Sequence, residues 1–198
     1  MLHRRRFLTL TAVAACSVAG LAVARAGMDP AAFVQDLGDQ AIDTLTGPDV
    51  TPAIRAERFR TLLAQNFDVP AIGKTVLGRY WKVATEAERT EYLALFENFL
   101  VANYAKRFAE YSGQKFELRG TRPEGGDNLT VQTLVKQPSG GEPARLDWLV
   151  RPDGDAFKIL DLKIEGISMT ETHRSEFASV IQSKGGKVAG LIAALQSK

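Results

Sequence analysis

The sequence predicts an α+β domain in which a curved antiparallel meander of four strands is covered on one face by helices from both ends of the chain. Three observations carry that prediction. Residues 29–111 place apolar side chains at helical spacing behind capping residues. Residues 114–165 alternate polar and apolar in short runs divided by glycine turns, and helical spacing returns after residue 170. The loops between the alternating runs are too short for parallel crossovers, so neighbouring strands must run antiparallel.

Residues 1–26 stand apart from this plan. Arg4, Arg5 and Arg6 precede an apolar run from Phe7 to Ala24, and Ala24-Arg25-Ala26 precedes Gly27, the layout of a secretory signal peptide cut after Ala26. The run spans only about 18 residues, is rich in Ala and Thr, and ends in small residues, which argues against a membrane anchor. Arg4-Arg5 followed by Phe7-Leu8 resembles a twin-arginine export signal, with a plain Sec signal as the competing reading. Val13-Ala14-Ala15-Cys16 resembles a lipobox, although the apolar run continues well past Cys16. The segment holds four of the 25 lysines and arginines and none of the 23 acids, so residues 27–198 carry 21 bases, a net charge of −2. The basic balance therefore belongs to the export signal, and nucleic-acid binding loses its electrostatic support. Cys16 and His3 leave with it, so the expected periplasmic chain, one domain over residues 27–198, has no thiol chemistry and has His173 as its one histidine.

The elements follow in order. Asp29-Pro30 begins the first helix, and Phe33, Leu37, Ala41 and Leu45 recur on one face until Gly47-Pro48 ends it. Thr51-Pro52 begins a second helix with Ile54, Phe59, Leu62 and Leu63 inward, and Asp68 caps a short third that runs to about Leu77. Thr85 and Glu88 form a capping box for a long helix to Tyr111, spanning roughly 39 Å at about 1.5 Å per residue. Its apolar stripe, from Tyr92 to Phe108, is wide and aromatic. Gly125-Gly126-Asp127-Asn128, Ser139-Gly140-Gly141 and Pro152-Asp153-Gly154 divide the strands. Val131, Thr133 and Val135 alternate along the second strand, Leu146, Trp148 and Val150 along the third, and Leu160, Leu162 and Ile164 along the fourth. Each strand thus has one apolar face, and the sheet is covered on one side. A helix over about Glu171–Ser183, a Gly185-Gly186 break and a last helix to Gln196 complete the domain. Several small folds satisfy this order, and the NTF2-like cone is the favoured one.

Four patterns look chemical, and each lacks a part. Gly166-Ile167-Ser168-Met169-Thr170 is close to a nucleophile elbow, with Asp161 and His173 near in sequence. An elbow needs a small residue where Thr170 stands and a parallel sheet beneath it, and His173 is expected as a solvated first-turn residue pointing away. Gly73-Lys74-Thr75 matches the tail of a P-loop, but Asp68 stands where its first glycine belongs and Pro70 stiffens the cradle. One histidine and no cysteine within residues 27–198 exclude ordinary zinc sites, and no run of alternating acids offers a calcium loop. Asp147 and Asp161 remain as a general base inside an NTF2-like cone, although alternating strand carboxylates usually face water. What is left over is apolar surface, more than a four-stranded sheet requires, and a cavity between sheet and aromatic helix accounts for the excess.

Residues 66–108 and 159–195 carry a family likeness. Phe67-Asp68, Gly78-x-Tyr80-Trp81 and a Thr-capped helix with Phe96, Leu100 and Tyr104 are followed by Asp161, Glu165-Gly166-x-Ser168, Arg174-x-Glu176-Phe177 and a glycine before Leu191-Ile192-x-x-Leu195. In order and spacing this resembles the MlaC family of periplasmic phospholipid-binding proteins, the toluene-tolerance auxiliary proteins. The resemblance implies an NTF2-like sheet joined to a helical part, with acyl chains in the cavity between them. It also implies a monomeric shuttle with no enzymatic activity, metal or cofactor beyond its phospholipid cargo. The implied partners are an outer-membrane lipoprotein–porin complex and an inner-membrane ABC transporter bearing an MCE-domain ring, in a system that maintains outer-membrane lipid asymmetry. A related branch accompanies hopanoid biosynthesis. Strand and helix phase place Tyr80, Trp81, Phe96, Phe99, Leu100, Tyr104, Val131, Thr133, Val135, Trp148 and Val150 near the cavity. The competing expectations are a periplasmic enzyme based on Asp161 or Asp147 and an envelope adaptor with a solid interior.

Overall fold

The computed structural model describes residues 29–197, so the export signal and the Cys16 motif expected within residues 1–26 lie outside the described residues. The elements run α1 (Pro30–Leu45), α2 (Pro52–Asn66), α3 (Val69–Leu77), α4 (Tyr80–Val83), α5 (Glu86–Tyr104) and a 3-10 segment (Ala105–Glu110). Strands β1 (Lys115–Pro123), β2 (Leu129–Lys136), β3 (Ala144–Asp153), β4 (Ala156–Ile164) and β5 (Ile167–Ser168) follow, then α6 (Met169–Ser183) and α7 (Val188–Gln196). Side-chain caps set most of the helix starts. Asp29, Thr51, Asp68 and Ser168 each accept a backbone N–H three residues on, at 3.0–3.3 Å. Thr85 and Glu88 close a complete capping box.

The sheet is an antiparallel meander in chain order, β1-β2-β3-β4-β5. It has five strands rather than the expected four. Glu165 (φ 51°) and Gly166 (φ 80°) make a tight turn that pairs Ile167-Ser168 back onto β4. The apolar face aligns Val131 with Trp148, Thr133 with Leu146 and Val135 with Ala144, and Trp148 with Leu162 on the other side. A register shift sets Val150 opposite Ile159. Ile159, fully buried, therefore takes the inward place expected of Leu160, because one extra residue flips the alternation.

Apolar residues gather into two cores. In one, α1 and α2 lie over the sheet and bury Val34, Leu45, Leu62, Val131, Val150 and Ile159. In the other, α3, α5, α6 and α7 enclose Tyr92, Phe96, Phe177, Ile181 and Leu191. Gly73 lets α3 approach α5 closely: a Cβ there would lie 2.7 Å from Leu93 Cδ2 and 3.0 Å from a Phe96 ring carbon. The Gly73 carbonyl accepts the hydroxyl of fully buried Tyr92 at 3.0 Å. The apparent P-loop tail is thus a helix-packing contact inside α3.

Polar ties join the two halves. Asp68, besides capping α3, takes Arg151 of β3 at 2.5 Å. Buried Arg55 donates to Leu45 O and Val50 O, each at 2.9 Å, satisfying the last carbonyl of α1 and one in the loop to α2. Two expectations along the helices change. Ile54 faces solvent at 40% exposure, since Arg55 occupies the inward turn. The long helix keeps α geometry only to Tyr104 and then tightens to 3-10 winding, which turns the chain toward β1.

Candidate functional site

A cavity of about 750 Å³ lies between the apolar face of the sheet and the first two helices. The sheet supplies Phe116, Val135, Ala144, Leu146 and Trp148, α1 supplies Leu37, Gly38, Ala41 and Ile42, and α2 supplies Phe59, Leu62 and Leu63. Alternation explains the sheet wall: the side chains of β1 to β3 that face α1 stand opposite one another across the register. Gly38 and Ala41 explain the room, because two small residues one turn apart on the inward face of α1 leave space that a Leu pair would fill. A Cβ on Gly38 would already touch the Phe116 ring at 3.5 Å. Trp148 is held in place by its indole N–H, which donates to Thr133 Oγ1 at 3.0 Å, while the Thr133 hydroxyl donates to Leu146 O at 3.2 Å. Phe116 meets the indole edge-on, with centroids 6.2 Å apart.

One end of the cavity is polar. The 3-10 segment brings Arg107 and Glu110 there, joined by Tyr111, Ser112, Gln114 and Gln137. Gln114 donates to Gln137 Oε1 at 3.0 Å and accepts the Ser112 N–H at 2.9 Å, so the rim is cross-linked between the helical connection and β2. The arrangement suits an elongated apolar ligand with a polar end. It offers no nucleophile–base pair.

A second cavity of about 470 Å³ lies among α5, the 3-10 segment, α6 and α7, and Arg107 borders both. His173 forms part of its wall. Its Nε2 is 2.7 Å from the Tyr104 hydroxyl and its Nδ1 is 3.0 Å from Glu176 Oε2. Burial raises Tyr104 above the usual tyrosine range, with Arg107 opposing.

The expected lining residues divide among these places. Val135 and Trp148 line the larger cavity. Val131, Thr133 and Val150 share the same sheet face but are fully buried beneath the helices. Phe99 and Tyr104 line the smaller cavity. Phe96 and Leu100 are buried in the helical core, with Tyr80 and Trp81 packed at its edge. The aromatic stripe of α5 therefore faces α3, α6 and α7, a correction to the expected wall opposite the sheet. A helical period identifies an apolar face without saying which neighbour meets it. The lining from α1, α2 and Phe108 was missed, although the small residues Gly38 and Ala41 within an otherwise bulky apolar face were a usable signal.

Asp161 and Ser168 do meet: the Ser168 hydroxyl donates to Asp161 Oδ2 at 2.6 Å, and Asp161 Oδ1 accepts the Thr170 N–H at 3.0 Å. That contact brings two of the three residues together without forming a triad. It serves the start of α6, and His173 points instead to Tyr104 and Glu176, with its side chain only 12% exposed rather than solvated. Asp147 lies on the other sheet face near Arg145, and neither it nor Asp161 lines either cavity. Among the described residues, no group of three or more His, Cys, Asp and Glu could hold a metal ion.

Fold and cavity together define a small α+β container, a meander sheet closed by helices over an apolar space with a polar mouth. The family model described as MlaC protein matches residues 35–197, and the chain belongs to the MlaC family. Among solved structures it is similar to a phospholipid-binding protein from Ralstonia solanacearum, solved in complex with a phospholipid. The two are 27% identical with a TM-score of 0.72, over 86% of this chain and 96% of that one.

Proposed function

We propose that this chain is a phospholipid carrier of the periplasm, exported through its N-terminal segment and shuttling lipid between the outer and inner membranes without catalysing a reaction. The larger cavity is the observation that carries the reading: its walls are apolar side chains of α1, α2 and β1–β3, and its polar groups cluster at one end. Family membership and the phospholipid held by the similar Ralstonia protein support it. Each methylene kept from water is worth about 0.8 kcal/mol, so a 16-carbon chain represents roughly 13 kcal/mol of exposure that a carrier must avoid. Burial of the acyl chains meets that requirement, and the headgroup stays at the rim formed by Arg107, Gln114 and Gln137.

The partners in this reading are an outer-membrane lipoprotein–porin complex and an inner-membrane MCE-domain ABC transporter, together maintaining outer-membrane lipid asymmetry. Direction comes from their different affinities and from ATP hydrolysed by the transporter. The chain itself acts as a monomer.

The test is mass spectrometry of the protein isolated from the periplasm. The expected result is an N-terminus at Gly27 and a stoichiometric diacyl phospholipid, absent from an Ala41→Trp variant that remains folded. A hopanoid in place of phospholipid would assign the related branch. Protein free of lipid, or equal lipid in the variant, would overturn the assignment.

A further inference from the structure

The smaller cavity lies away from the sheet and has a composition of its own. Its floor is apolar, made by Phe99, Phe177, Val180, Leu191 and Leu195. One wall is the hydrogen-bonded chain Tyr104–His173–Glu176. A carboxylate only accepts, so the Nδ1 facing Glu176 carries a proton, while Nε2 pairs with the Tyr104 hydroxyl. Phe99 locks the imidazole edge-on, with centroids 5.1 Å apart. This wall is hydrogen-bonded within itself.

The rim differs. Lys106 and Arg107 are exposed at the mouth, and neither has a carboxylate partner among the described residues. In 3-10 winding, positions i and i+3 eclipse, which stacks Arg107 over the Tyr104 ring at 5.8 Å. The tightening of the chain after Tyr104 thus sets two cations over an apolar pit, with Glu176 as the only carboxylate in its lining. A neutral apolar guest would have no use for the cations, and a small soluble anion none for the floor. About 470 Å³ falls within the usual range of small-ligand sites.

We infer that this cavity is a second binding site, beside the phospholipid cavity and sharing only Arg107 with it, for an amphiphile with one acyl chain and an anionic head. A fatty acid carboxylate and a lysophospholipid phosphodiester share that chemistry. The acyl chain rests on the floor of Phe99, Phe177 and Leu191, and the head meets Lys106 and Arg107.

His173 gives the site its own reporter, being the only histidine among the described residues. The experiment follows its ring resonances by NMR in the exported protein as isolated, during titration with laurate and separately with lysophosphatidylglycerol, both below micelle formation. A saturable shift with either supports the site, and the one that produces it identifies the source of the anionic chain. Ala194→Trp, which fills this cavity, abolishes the shift. Lys106→Gln, a surface change that leaves folding intact, weakens it about 2- to 5-fold, the scale of an exposed ion pair. No shift with either ligand overturns the inference, as does an equal shift with the neutral detergent decyl maltoside. A shift that survives Ala194→Trp but disappears in Ala41→Trp also overturns it, because the chain would then enter through the larger cavity. Lipid-free isolated protein would undo the carrier reading while leaving this titration decisive.

Discussion

Replacing Gly73 with Ala sets two effects against each other, and the geometry between α3 and α5 decides the sign. Alanine inside a helix is favoured over glycine by about 0.8–1.0 kcal/mol, so on propensity alone the change stabilises α3. The new methyl, however, would sit 2.7 Å from Leu93 Cδ2 and 3.0 Å from Phe96 Cδ1, closer than real Cβ contacts allow. Leu93 can rotate away. Phe96 cannot, because its ring stacks on Tyr92 at 5.7 Å and meets Phe177 edge-on at 6.1 Å. Retreat of α3 would also stretch the 3.0 Å bond from Tyr92 to Gly73 O. Overpacking costs about 1–3 kcal/mol, and the fixed Phe96 ring puts this site in the upper part, about 2–3 kcal/mol, leaving a net loss of about 1–2 kcal/mol and a melting temperature lower by about 2–8 °C. Urea unfolding followed by circular dichroism is the assay, with a lower midpoint and an unchanged slope expected. Copurifying lipid should be unaltered, because Gly73 borders neither cavity. A midpoint equal to or above that of the parent would refute the packing argument, and loss of a nucleotide-dependent property would restore the P-loop reading.

Three further outcomes are expected. Arg55→Met should cost about 1.5–3 kcal/mol in the same assay, because it strips the Leu45 and Val50 carbonyls of a charged donor. A loss below about 0.5 kcal/mol, typical of a surface change, would show that water replaces the guanidinium. Ser168→Ala should cost about 1 kcal/mol as a lost N-cap and change no hydrolytic activity, whereas an esterase activity that vanished with the hydroxyl would contradict the structural role of Ser168. Tyr92 is pushed by burial above the usual tyrosine range. A raised folded value means that its contribution is complete below about pH 10 and is lost as pH rises beyond it, by up to about 1.4 kcal/mol per pH unit. Urea midpoints between pH 9 and 11 should therefore fall less steeply for Tyr92→Phe than for the parent, and parallel curves would remove Tyr92 from that account.

Helix starts were legible wherever the signal was local. Asp29-Pro30, Thr51-Pro52, Asp68 and the Thr85–Glu88 box all cap as expected, because each acts within three or four residues of itself. The glycine turns between the four main strands were legible for the same reason. The two-residue β5 was not, since its pairing depends on Glu165 adopting positive φ beside Gly166. Along β4 the shift opposite Val150 exchanged Leu160 for Ile159, something strict alternation cannot foresee. The site was half legible: Val135 and Trp148 follow from strand phase, while the helices that close the cavity do not follow from the conspicuous aromatic stripe of α5.

By itself the sequence determined an α+β order, the capped helices, the antiparallel meander and a surplus of apolar surface. It also lacked the spacings that a triad, a P-loop or a zinc site demands. These properties depend on neighbours along the chain, or on residues that are simply not there. Only the tertiary structure decided where the empty space lies. The close approach at Gly73 draws the α5 aromatics into a helical core, so α1 and α2, with Gly38 and Ala41 facing inward, roof the sheet instead. The change to 3-10 winding after Tyr104 then places Arg107 between two cavities. Periodicity states that a face is apolar, but the face it meets is set by packing among elements distant in sequence.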